Sequence, residues 1–172
     1  MKKIVLFLGV LISLGMFSAC SNSDEINSSE ENLFEALTPI EGGDGYTAIA
    51  GFFNSELRLG TEGLPECFFM GSQTNECYII NSKQELQELY SGKKDIPEID
   101  FSKYTLIIGQ EIMADYDNKI IRQELVCLDD CLLLNIFVPK KEISLCLIDH
   151  LFFWGLYPKV GVKRITVKIN EI

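Results

Sequence analysis

Two pairs of residues have the spacing of metal ligands: Cys127-x3-Cys131 and Cys146-x3-His150, the latter holding the only histidine of the chain. Thiolates and a neutral imidazole arranged in such pairs bind zinc tetrahedrally, so Cys127, Cys131, Cys146 and His150 are the candidate ligand set for a zinc centre or a thiol-dependent activity. Against that chemistry stands a simpler one. Cys67 and Cys77 lie far enough apart in sequence to close a loop, and Cys127 and Cys131 flank the short turn Leu128-Asp129-Asp130, so these four are also candidates for disulfides in an exported protein. A catalytic thiol needs an electropositive setting, and nothing around Cys146 and His150 in sequence supplies one. One histidine excludes an HExxH metalloprotease, and neither a GxSxG elbow nor a GxxxxGK[ST] phosphate loop occurs.

A second constellation is aromatic. Within 150–158, Phe152, Phe153, Trp154 and Tyr157 would form a platform for a glycan or protein partner if exposed, since Trp and Tyr dominate binding hot spots. As a buried strand the same run needs no ligand, which is the more usual fate of large apolar side chains. Asp115, Asp117 and Asn118 offer oxygens, but six to eight are needed for calcium and the twelve-residue loop is missing; Asp and Asn here read as hairpin-turn residues.

The elements that would position these groups follow from periodicity. In 81–92, Ser82 and Glu85 have capping-box spacing, Leu86, Leu89 and Tyr90 share one face, and Gly92 supplies a stop, which predicts a helix over 82–91. Strands are expected at 104–112, 119–127, 131–138, within 146–157 and at 163–169, where Ile165, Val167 and Ile169 alternate with polar residues. Earlier strand candidates are 46–53, 57–59 and 77–80. Short connections at 115–118 and 128–130 suggest consecutive hairpins, hence an α+β fold: an antiparallel meander with one helix packed on it.

The amino terminus carries a different signal. Lys2 and Lys3 precede an uncharged apolar run from Ile4 to Phe17, which ends in Phe17-Ser18-Ala19-Cys20. The layout is that of an export signal, and the run is too short for a permanent membrane span of about 20 apolar residues. Its end resembles the lipobox of bacterial lipoproteins. The resemblance implies a signal peptide over 1–19, cleavage before Cys20, lipid on that thiol, and stable anchoring by several acyl chains.

Ser21-Asn22-Ser23-Asp24-Glu25 is similar to the acidic surface-export tethers of Bacteroidetes lipoproteins, which implies the outer membrane or cell surface, with the periplasmic face as the alternative. Between 21 and 45 stand Asp24, Glu25, Glu30, Glu31, Glu35, Glu41 and Asp44 with no Lys or Arg. Such a stretch cannot offset its ordering entropy by burial, so 20–45 reads as the lipidated cysteine and a flexible acidic tether, with 33–37 a candidate helical contact. Residues 46–172 then form a single domain. A formal net charge of −10 excludes nucleic acid as a partner, since phosphates demand a basic face.

Finally, the helix SKQELQELYSG followed by IDFSKYTLIIG and hairpins, over about 78–138, resembles small lipoproteins with a domain of the protease-complex-subunit type. That implies an accessory or regulatory subunit of an envelope protease. The glycine pair and tyrosine such domains carry after this strand are absent. The sequence thus favours a membrane-anchored binding module of the cell envelope with an unknown protein or glycan partner. The alternatives are a thiol- or zinc-dependent enzyme and the protease subunit.

Overall fold

A computed structural model describes residues 35–58, 67–71, 74–114, 119–140, 148–161 and 164–172. The export signal, Cys20, the tether up to residue 34, the 115–118 turn, Leu59 and Cys146 lie outside the described residues. Two helices and six strands follow in the order α1 (Tyr46–Glu56), β1 (Glu76–Ile80), α2 (Lys83–Leu89), β2 (Tyr104–Ala114), β3 (Arg122–Cys127), β4 (Leu132–Val138), β5 (Ile148–Pro158) and β6 (Ile165–Glu171). The fold is α+β and dominated by sheet, as the sequence predicts. No helix among the described residues is long and apolar enough to cross a membrane.

The strands form two sheets of three, with orders β1-β2-β5 and β3-β4-β6. A meander of consecutive hairpins is not what they make. Only β3 and β4 are hairpin neighbours; β1 reaches β2 through α2, β2 pairs β5, and β4 pairs β6 in parallel. The physical reason lies in β2 and β5, whose side chains are apolar on both faces. A strand of that kind must be covered on both sides, and a two-layer meander with one wet face cannot do that.

Leu106 and Ile108 of β2, with Leu156 of β5 and Ile80 of β1, face the helices and Phe69 and Met70. Ile107, Leu151, Phe153 and Tyr157 face the other way, against Leu125, Leu132, Leu134, Ile136 and Val138 of the second sheet. Three layers result: helices, a doubly buried central sheet, and an outer sheet. β4 shows the alternation of an outer-layer strand, with its even-numbered residues buried and its odd ones half-buried.

Close approach in the central sheet depends on Gly109. A Cβ there would sit 2.2 Å from Cζ of Phe153, its cross-strand partner, and 2.7 Å from the Glu76 carbonyl oxygen. The missing side chain lets the Phe153 ring lie flat over β2, where it is fully buried.

Residues 46–53, a strand candidate by composition, are helical. Ile49, Phe52, Phe53 and Glu56 are buried at offsets of three, four and seven, the stripe of a helix on a core. Gly45, with φ of 80°, makes the left-handed entry into this helix. α2 carries the Ser82 half of the expected capping box, with Ser82 Oγ accepting from Glu85 N at 3.1 Å, while the return bond of Glu85 Oε2 goes to Asn81 N, one residue before the cap, at 2.6 Å. It ends at Leu89. Gly92 does not cap it; the Tyr90 ring occupies the space of its absent Cβ, with Cζ 2.2 Å from that position.

The stretch expected as free tether is docked at Leu37 and Ile40. Leu37 forms an antiparallel bridge with Leu125 on the edge of β3, extended rather than helical, and Ile40 N donates to Leu156 O on the edge of β5 at 2.7 Å. This segment therefore closes the seam where the two sheets meet at β3 and β5.

Candidate functional site

The turn Gly42-Gly43-Asp44-Gly45 follows directly on that docked segment, with φ of 103°, 95° and 80° at its three glycines. Left-handed backbone of this kind is open to glycine at little cost, and it turns the chain sharply from the seam into α1. Between this turn and the loop 98–104 lies a cleft of about 340 Å³. Ile40, Ile49, Ile99 and Leu156 make its floor, while Asp44, Glu98, Asp100, Tyr46 and Tyr104 stand around it.

The rim charges differ in engagement. Asp100 accepts from Ser102 N at 3.1 Å and from Ser102 Oγ, and pairs with Lys103 at 3.1 Å; these donors hold its carboxyl below the usual range. Glu98 pairs with Lys83 at 2.5 Å. Burial, then the charge of Glu41, raises the Tyr46 phenol, which keeps it a neutral donor at physiological pH.

A second cleft, of about 430 Å³, opens beside the β3–β5 seam between Phe53, Leu57, Ile120, Gln123, Phe152 and Trp154. Phe152 and Trp154 are half-buried here, on the helix side of the central sheet. Trp154 has three protein partners: Phe53 stacks on it at 5.2 Å, Tyr46 lies at 6.1 Å, and its Nε1 donates to Asn54 at 3.0 Å. A ring stacked by protein in this way is a poor platform for a sugar. Phe153 and Tyr157 are fully buried between the sheets and so cannot serve as partner-binding residues; β5 alternates its side chains between two covered faces.

The four described cysteines do not form one cluster. Cys67, Cys77, Cys127 and Cys131 are unbridged. Cys67 packs with the helix-side core and Cys77 with the inter-sheet core, so the central sheet stands between the two sulfurs expected to bridge. Cys127 ends β3 and Cys131 closes its turn, where Leu128 N donates to Cys131 O at 2.9 Å. His150 belongs to the other sheet, stacked on Phe152 at 6.0 Å. Among the described residues no group of three or more His, Cys, Asp or Glu side chains is placed to hold a metal ion. Burial pushes the Cys67 thiol up and the Cys77 thiol up to about 12, which keeps both protonated and weakly nucleophilic.

One buried charge escaped the sequence reading. Glu56, 3% exposed at the end of α1, pairs with Lys94 at 2.7 Å and accepts from Tyr90 OH at 2.6 Å and Ser55 Oγ at 3.1 Å. Burial raises its carboxyl, but these three donors outweigh burial and the net shift is downward. A glutamate at the fourth position of an apolar helical stripe is the only signal the sequence offers for it. The cleft has a clearer signal in sequence, the glycine-rich turn Gly42-Gly43-Asp44-Gly45 at the end of the acidic stretch. No family model, curated protein or solved structure matches this chain.

Proposed function

We propose that this chain is a lipid-anchored binding module of the cell envelope, attached through Cys20, and that the cleft between the glycine-rich turn and the 98–104 loop is its ligand site. The observation that carries the reading is the lining of that cleft. An apolar floor with a few polar groups around it is the usual make-up of a small-molecule or side-chain pocket, and its volume lies within the usual range. Two tyrosines and three carboxylates suit a ligand with hydrogen-bond donors, such as an amine or a basic peptide side chain. The unpromising thiols support binding over turnover.

Two experiments test it on the full chain. Cys20→Ala should move the protein out of the membrane fraction; retention there would overturn the anchoring. A thermal-shift screen of amines, basic peptides and neutral glycans should find ligands that stabilise the wild type and not Ile99→Trp, which fills the cleft. Ligands that bind both equally would overturn the site, and turnover of a substrate abolished by one substitution in the domain would overturn the binding reading.

A further inference from the structure

Among the described residues, three backbone hydrogen bonds join the segment 35–41 to the domain. Leu37 N donates to Leu125 O at 2.8 Å, Leu125 N donates to Leu37 O at 2.7 Å, and Ile40 N donates to Leu156 O. Leu37 and Ile40 are only half-buried. The bridge cannot lengthen into a strand in one direction, because the next residue in register with Gln123 is Pro39, which has no N–H to give. Gln123 turns its side chain instead to the Trp154 carbonyl, at 3.1 Å. Segments with few buried contacts and few backbone bonds open at lower free energy than the strands beneath them.

A hinge lies at one end of the segment. Gly42, Gly43 and Gly45 have positive φ and no atom within 4 Å of where a Cβ would be, so no packing at a Cβ position holds this turn; its ties are the bonds from Tyr46 N to Gly43 O and from Ala48 N and Ile49 N to Gly45 O. We propose that residues 35–41 form a latch that docks and undocks locally on the β3–β5 seam, hinged at these three glycines, while both sheets remain folded.

The consequence is a conditional site. Ile40 belongs to the latch, Gly42, Gly43 and Asp44 to the hinge, and the opposite wall, with Ile99, Tyr104 and Leu156, to the body. The cleft exists as a cleft only while the latch is docked. A ligand touching both walls favours the docked state by its differential affinity, and a pull on the chain before residue 35 opposes it. This last step rests on the binding reading above, whereas latch opening is measured without any ligand.

The test is hydrogen exchange, read residue by residue on the full chain in detergent micelles. The amides of Leu37, Ile40 and Leu125 should exchange at least about 100-fold faster than those of Ile107 and Ile108 in β2, with little acceleration by low urea. Exchange of all five at one rate, with one steep urea dependence, would overturn the latch. Leu37→Asp should free the three latch amides and leave β2 protected. A Leu37→Asp chain that fails to fold would also count against the proposal, since the segment would then be integral to the domain. Failure of the ligand screen with these exchange results intact would reject the binding site alone.

Discussion

Replacing Glu56 by glutamine tests whether the buried network at the end of α1 stabilises the helix layer through charge. The carboxylate accepts from Lys94, Tyr90 and Ser55 while almost wholly buried. Hydrogen bonds to a charged group contribute about 1.5–3 kcal/mol each. Glutamine keeps one carbonyl oxygen for Tyr90 and presents an amide where Lys94 needs an acceptor. Lys94 is 57% exposed and recovers part of the loss from water. The expected cost is therefore about 2 kcal/mol at neutral pH, below the roughly 3–5 kcal/mol that breaking a fully buried pair would cost.

The pH dependence follows from the downward shift of Glu56. Its stabilisation is fully present above the unfolded-state value, about 4.3, and is lost as pH falls through the lower folded value. Urea unfolding of wild type and Glu56→Gln between pH 7 and pH 3 should show a gap that is constant down to about pH 5 and narrows below it. Other carboxylates titrate in the same range, so the gap carries the information, not either curve alone. Equal stability at pH 7, or a gap that does not narrow in acid, would refute the assignment.

Three further outcomes follow from packing. Gly109→Ala should destabilise by about 2–4 kcal/mol in urea unfolding, because its methyl group meets the Phe153 ring and the fixed Glu76 carbonyl, whereas Gly51→Ala, open on the face of α1, should stabilise by about 0.5–1 kcal/mol. Gly92→Ala should displace the Tyr90 ring and weaken its bond to Glu56, so its cost should shrink when Glu56→Gln is already present. Iodoacetamide should label Cys77 far more slowly than an exposed thiol, since it is half-buried against the inter-sheet core and burial raises its thiol to about 12; labelling as fast as that of a free cysteine would contradict that place.

The parts of this fold legible in the sequence are those governed by local chemistry. Ser82 and Glu85 announced α2 because both ends of the capping bonds lie within one turn. Ile165, Val167 and Ile169 announced β6 because its alternation is set by one covered face. The first helix is not legible in the sequence because Phe52 and Phe53, adjacent aromatics in an apolar run, resemble strand residues; the burial of Ile49 and Glu56 in the same stripe distinguishes the two periods. The parallel pairing of β4 with β6 is a non-local choice that no short pattern encodes.

The candidate cleft lies away from the aromatic run of β5 and the cysteines for a physical reason. A central sheet covered on both faces absorbs the large apolar groups of β2 and β5, and with them Phe153, Tyr157 and Cys77. Polar chemistry is then left to the sheet margins, where β5 and β3 present unpaired edges that must be covered or used. Here the chain covers part of that margin with Leu37 and Ile40 and, through the glycines that end the segment, builds a cleft against Ile99 and Tyr104. The covered edge and the candidate cleft share one short segment, so a substitution in 35–41 that loosens the seam must also reshape the cleft.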